Sequence, residues 1–184
     1  MPLTISDSRS YTIEPLRKNR WVLQFASIPG ASNGDEATEL AFVAHTSNAP
    51  TLTMAPVEYN RLNEKFYTAG RPVWNDLSMS FYDFIRSGAN KSAGDIIYSW
   101  TNKIYNPLTG QMGYKSQYTT SATLAQLDPE GAVIRAWNLF HVWPSTTNFG
   151  DGLSADDDGL LDIQVTFKYD IAIKITDQVD SRSQ

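Results

Sequence analysis

From Leu160 to Ile175 the chain reads LLDIQVTFKYDIAIKI. Leu161, Ile163, Val165, Phe167, Tyr169, Ile171, Ile173 and Ile175 are apolar, and Asp162, Gln164, Thr166, Lys168, Asp170, Ala172 and Lys174 lie between them. This period-two alternation marks a strand with one buried and one wet face. At about 3.3 Å per residue it would span roughly 50 Å, against about 5–6 residues for a usual strand. Its odd face is expected on the core; its even face needs something to meet.

Shorter patterns fill the rest of the chain. Residues 21–25 (WVLQF) read as a strand, 27–38 as a loop rich in small polar residues around Pro29, Gly30 and Gly34, and 39–45 (ELAFVAH) as a second strand. The long polar stretch 47–72 holds two strand-like pieces, VEYNRL and EKFYTA, with Asn60 and Asn63 bracketing a turn, which predicts a hairpin projecting from the body. Residues 73–84 form another strand, with Val73, Leu77, Met79 and Phe81 on one face.

One helix is expected. Ser92 followed by Asp95 resembles a capping box, and Ile96, Ile97, Trp100 and Ile104 fall at helical spacing before Asn106–Pro107 stops the run. Residues 114–127 and 132–143 then read as a strand pair joined by the turn DPEG; the second is apolar on both faces and therefore central. Residues 144–159 are a loop before the closing strand. The sum is one mainly β domain over residues 1–184: an antiparallel β-sandwich or barrel of about six or seven strands, with one flanking α-helix and a projecting hairpin. Residues 1–19 read as an N-terminal arm and 176–184 as a polar C-terminal tail.

Composition narrows the function. With 41% hydrophobic and 19% charged residues the chain is globular, and its 5 Trp, 9 Tyr and 8 Phe favour strands. It has no cysteine, which removes disulfides, thiolate metal sites and cysteine nucleophiles. The opening residues lack the apolar core of a signal peptide, and no window is apolar enough to span a membrane, so the expectation is a soluble protein folded in the cytoplasm. The 15 basic residues against 20 acidic ones, net −5, argue against a tight grip on nucleic acid.

Candidate chemistry is sparse. The loop DGLSADDDG offers oxygen ligands at Asp156, Asp157 and Asp158, but lacks the ordered ligand positions and closing Glu of a helix–loop–helix calcium site; solvated loop carboxylates are the plainer reading. His45 and His141 sit inside strand patterns without a partner set for a triad or metal, and read as partly buried structural residues. Paired carboxylates for a hydrolase are defined by separation in space, which spacing in sequence does not supply. Phosphate-binding glycine motifs are absent. Trp21, Trp100 and Trp137 suit a core, whereas Trp74 and Trp143 at strand ends are candidates for exposure. The second reading of the chain is therefore a β-sandwich carbohydrate-binding module using Trp74 or Trp143, with calcium at the acidic loop. No cofactor and no catalytic residue is assigned.

What stands out is surface: a long two-faced strand, a projecting hairpin, and strands apolar on both sides. Such edges and faces are normally covered, and a symmetric oligomer would cover them.

The order of segments resembles the tail tube proteins of contractile-tailed phages over roughly residues 19–175. The pieces that carry the likeness are NRWVLQF, then FVAHTSNAPTLTMAPVEYNRLNEKFYTAGRPVWNDLSMSFYD, the helix with Trp100, and WNLFHVWPSTTNFGDGLSADDDGLLDIQVTFKYD. The resemblance implies a structural protein and no enzyme. Homohexameric rings would join their inner sheets around a channel and stack into a tube, and related tubes serve secretion systems and bacteriocins. It also implies partners: sheath, baseplate and tail terminator proteins, with genomic DNA passing through the channel without tight binding. The location implied is the virion tail, assembled in the host cytoplasm. Carried onto this chain, Val57, Glu58, Tyr59, Asn60, Arg61, Leu62, Asn63, Glu64 and Lys65 would reach the neighbouring ring. Asp162, Gln164, Thr166, Lys168 and Asp170 are the candidate lumen-facing set. Because Lys168 and Lys174 stand among these acids, this strand alone would not make a purely acidic lining.

Overall fold

The structure, a computed structural model, describes residues 15–32, 34–86, 91–150, 152, 156 and 158–175. Residues 1–14 of the expected arm, the tail 176–184, and Asp151 and Asp157 of the acidic loop lie outside the described residues.

Three small α elements and eleven strands follow one another. They are β1 (Trp21–Phe25), α1 (Glu36–Val43), β2 (Ala44–Ser47), β3 (Leu52–Arg61), β4 (Glu64–Trp74), β5 (Leu77–Tyr82), α2 (Ala93–Ile104), β6 (Tyr105–Asn106), β7 (Gln111–Met112), the one-turn α3 (Lys115–Tyr118), β8 (Thr120–Leu127), β9 (Val133–Asn148), β10 (Asp162–Lys168) and β11 (Ile171–Ile175). Seven strands form one antiparallel sheet in the order β1–β8–β9–β10–β5–β2, with β11 also on β9. β9 spans 16 residues and is the spine. Its first half joins β1, β8 and β11 into one leaf; its second half joins β10, β5 and β2 into another. The mainly β, antiparallel fold is the one expected from the sequence.

The leaves close on each other through alternate side chains. Leu23, Phe25, Leu124 and Leu139 of the first leaf and Leu77, Met79, Phe81, Ile163, Val165 and Phe167 of the second share one core. Phe25 meets Phe167 across it with ring centres 5.7 Å apart. Helix α2 closes one side with Ile96, Ile97 and Trp100 of the expected stripe, while its fourth member, Ile104, is only partly buried at the helix end. Its start is also as expected: Ser92 Oγ accepts from Asp95 N at 3.2 Å.

Besides the end of β9, which runs through residues 144–148 that the sequence pattern gave to a loop, four readings of the sequence are corrected. Residues 36–43, read as the end of a loop and a strand, form helix α1. Glu36, Leu40 and Val43 are buried at i, i+4 and i+7, and the helical period was hidden because its first inward residue is a Glu, whose Oε1 accepts from Ser32 N at 2.8 Å. Val73 is exposed on β4 and does not share the core face of β5. Residues 114–119 hold the turn α3 before β8 begins. The fourth correction is the closing strand. Ile163, Val165, Phe167 and Tyr169 point inward, but the next buried residue is Ala172, three positions on, so Ile171 and Ile173 are turned out and are 50% and 52% exposed.

Both partner strands slip together at this point. On β9, Leu139 and Val142 are buried, again three apart, and His141 between them has a φ of +56°. Because both strands shift phase at one place, their pairing continues past it: Lys168 faces Trp143 on one side and Ile171 faces Phe140 on the other. This is the corner where paired strands leave one leaf and enter the other. A single strand's alternation carries no sign of it. His141 is exposed here, with Nδ1 3.0 Å from Asp170 Oδ2, which Lys115 Nζ also meets at 2.5 Å. The left-handed backbone disfavours β-branched residues, so His141→Val is expected to be about 1–3 kcal/mol less stable than His141→Gly, read by urea denaturation. Equal stabilities would contradict a strained corner.

Candidate assembly interface

β3 and β4 form a two-stranded ribbon that pairs with no other strand among the described residues. Every residue of β3 is exposed, and so is nearly all of β4. Isolated two-stranded ribbons are marginal in water, so this arm needs fastening or a partner. Its root is fastened: Asn75 N donates to Thr51 O at 2.9 Å, Asn75 Nδ2 donates to Thr53 Oγ1 at 2.8 Å, and Trp74 packs on Tyr169. The Tyr169 phenol beneath it is raised above its usual pKa, chiefly by burial; the Thr51 backbone pulls it back and the Asp76 carboxylate adds to the rise. A bulge between Met54 and Pro56 bends the ribbon above the root. Glycine is needed at that bulge, because a Cβ on Gly70 would lie 2.3 Å from the Ala55 carbonyl oxygen.

Beyond the bulge the register sorts the side chains. Val57 faces Thr68 and Tyr59 faces Phe66, with the two rings stacked at 5.5 Å; this face is apolar and aromatic. The opposite face pairs Glu58 with Tyr67 and Asn60 with Lys65, and Lys65 Nζ lies 2.7 Å from Glu58 Oε1. Among the described residues nothing covers the apolar side of this amphipathic ribbon. The tip is the two-residue turn Leu62–Asn63, closed by the Arg61–Glu64 pair. Leu62 is 96% exposed and has a φ of +56°, a position where glycine is usual. The arm therefore holds all nine residues singled out from the sequence, Val57 through Lys65; what the sequence did not display was which of them share a face and that the tip is strained.

The body presents two contrasting faces. On the outside of the second leaf, Gln164 of β10 lies between Ser80 and Asn148, and Thr166 between Ser78 and Thr146. These rows carry hydroxyls and amides. Charge enters only at their ends, where Lys168 Nζ lies 2.6 Å from Asp76 Oδ1 and Asp162 Oδ1 lies 3.7 Å from His45 Nε2. His45 itself stacks on Tyr82 at 3.9 Å. Asp162, Gln164, Thr166 and Lys168 thus share one face, while Asp170 sits at the corner with Lys115 and His141. The second leaf ends in β2 on one side. On the other side β8 reaches no farther than Val142, so the rest of β9 has β10 as its one neighbour among the described residues. The outer face of the first leaf is mixed: Ile171 and Ile173 stand on it beside Gln24, Thr123 and Asn138.

The alternative ligand sites are weaker. Trp74 and Trp143 are partly buried, against Tyr169 and Tyr118, so neither is the exposed platform that sugar stacking needs. Among the described residues no three His, Asp or Glu side chains are grouped to hold a metal. No helix of the described residues is long and apolar enough to cross a membrane.

No family model matches the chain, and no curated protein sequence matches it. Solved structures share its fold. A chain of the sheath–tube complex of PVC, an extracellular contractile injection system in the extended state, aligns with a TM-score of 0.63 at 13% identity, covering 95% of this chain and 99% of that one. A chain of the anti-feeding prophage cap, a tube-terminating cap, aligns at 0.67 and 15% identity over 95% and 99%. A chain of the PVC sheath/tube terminator aligns at 0.63 and 14% over 90% and 99%. The fold is that of the tube proteins of contractile injection systems.

Proposed function

We propose that this chain is a structural tube subunit of a phage tail or related contractile apparatus, acting as a homohexameric ring that stacks on identical rings. The observation that carries the reading is the arm: a ribbon with an aromatic face and an apolar tip left exposed among the described residues. The free strand edges at the two sides of the second leaf support it further. Setting the β2 edge of one copy beside the distal edge of β9 in the next would continue that leaf around a ring. The hydroxyl and amide rows of Ser78, Ser80, Thr146, Asn148, Gln164 and Thr166 would then line the channel. Such a surface neither attracts phosphate strongly nor repels it, which suits genomic DNA in passage. Sheath, baseplate and terminator proteins are the partners of this reading, and the virion tail, assembled in the host cytoplasm, is its location. The role is structural, without catalysis.

Electron microscopy of the purified full chain tests it. Hollow rods or rings of uniform width are expected; a protein that stays monomeric at high concentration would overturn the reading. Linear duplex DNA is expected to bind no more tightly than about 10⁻⁴–10⁻⁶ M at physiological salt, the ordinary range of non-specific association. Nanomolar binding with a steep salt slope would remove the conduit.

A further inference from the structure

We infer that the acidic segment Asp177–Asp180, which follows β11, crosses an open cleft between the two leaves of its own copy and closes it. The closure is a property of one copy and does not depend on the tube reading.

The cleft follows from pairing. On the inward face of the first leaf, beyond the core residues Leu23 and Leu139, Leu124 faces Trp137 and Trp137 faces Lys174. In the next row Trp21 faces Gln126 and Gln126 faces Arg135. Residues 47–49, where β2 ends, stand opposite, and a cleft of about 440 Å³ is left between. Trp21 and Trp137 are partly buried and pack on the core, so the middle of the cleft is aromatic. One side is cationic through Arg135, whose Nε donates to Gln126 Oε1 and is held in place by it. The other side carries Lys18, on the turn from Arg17 to Arg20 that leads into β1. No carboxylate among the described residues lines the cleft, although the chain has a net charge of −5. Such a site suits a guest with an apolar centre and an acid on either flank.

The strand order supplies that guest. Across the first leaf β11 lies beside β9, β9 beside β8, and β8 beside β1. At about 4.8 Å per strand, β9, β8 and β1 stand about 5, 10 and 14 Å from the line of β11. The pairing of β11 ends with Ile175 opposite Ala136, next to Arg135. An extended chain that turns there across the cleft advances about 3.3 Å per residue, so residues 177, 179 and 180 come about 7, 13 and 17 Å along it. Asp177 then meets Arg135 on β9, Val179 lies over β8 between the two tryptophans, and Asp180 reaches the Lys18 side. The order acid, apolar, acid in the sequence matches the order cation, aromatic, cation across the cleft. A chain that instead ran on beside β9 would set Asp177 opposite Ile134, on the outward face, and leave the cations unmatched. Residues 47–49 lead into β3, so a filled cleft braces the base of the arm against the first leaf.

The chain has no cysteine, so disulfide trapping starts from a clean background. The full-length variant Lys18→Cys/Asp180→Cys is expected to close within one copy on mild oxidation. The product is a monomer that migrates faster without reductant, formed at a rate independent of protein concentration. Ser78→Cys/Asp180→Cys places the first thiol on the outer face of the second leaf and should close at least about tenfold more slowly. Adding Asp177→Lys to the first pair is expected to slow closure at least about tenfold, whereas Asp177→Glu should keep the rate within about twofold. Cross-links that join different copies, equal rates for the two cysteine pairs, or a rate that Asp177→Lys leaves unchanged overturn the inference. Each of these results leaves the tube reading standing, which electron microscopy of the wild-type protein decides on its own.

Discussion

Replacing residues 59–66 by Asn-Gly is expected to abolish rod formation while the body stays folded. The replacement closes the shortened ribbon at the Glu58–Tyr67 pair with a two-residue turn of the type that suits hairpins. It removes Tyr59, Leu62 and Phe66, the outer part of the apolar face and the tip, and leaves the root with its Asn75 bonds and Trp74 contact untouched. Because the deleted residues touch no part of the core, the loss of stability should stay below about 1 kcal/mol, or roughly 2–4 °C in melting temperature for a chain of this size. Assembly should respond far more strongly. An interface that loses its buried aromatic anchors loses about 2 kcal/mol or more per anchor, and every copy in a rod repeats the loss. Electron microscopy and sedimentation, paired with a thermal melt, check both halves. Rods of ordinary abundance from this variant would remove the arm from assembly.

How much of this could be seen in the sequence depends on whether a residue's partner was local. Helix α2 was legible because its cap and its stripe of Ile96, Ile97 and Trp100 lie within one turn or two of each other. β5 was legible from alternation, most of β9 from a run apolar on both faces, and the ribbon from its polar pattern between two apolar runs. Helix α1 was not, since a buried Glu36 breaks the apolar count that marks an inward face. The phase change in residues 160–175 was invisible for a deeper reason: it is a joint event of two strands that meet only in the fold, at His141 and Asp170. Its consequence is that Ile171 and Ile173 stand on the outer face of the first leaf. The arm shows the same division. The nine residues at its end could be picked out as a hairpin, but the separation of Tyr59 and Phe66 from Glu58 and Lys65 came only with the register. The candidate channel face was half legible: period two places Asp162, Gln164, Thr166 and Lys168 together, whereas Asp170 lies just where period two ends.

Trp100→Ala is expected to produce the opposite signature to the arm variant, costing stability and sparing assembly. Trp100 is fully buried at the point where α2 meets the sandwich. Phe25 stands edge-on to it at 5.6 Å and Phe167 lies at 5.6 Å, so one ring joins the helix to both leaves. Its Nε1 donates to the Tyr118 carbonyl at 2.7 Å and thereby ties α3 to the same centre. Truncation leaves a cavity between three elements that cannot all collapse into it, and strands the Tyr118 carbonyl. The cost expected is about 3–5 kcal/mol, or a melting temperature lower by roughly 6–20 °C. Trp100→Phe keeps most of the ring and loses the N–H, and should cost about 1–3 kcal/mol. Both should still form rods well below their melting points, because no atom of Trp100 reaches the arm or an exposed face. If Trp100→Ala melted within a few degrees of wild type, the joint core of the two leaves and α2 would be wrong. If it folded normally and failed to assemble, a self-sufficient body with an arm completed by its neighbours would be the wrong picture instead.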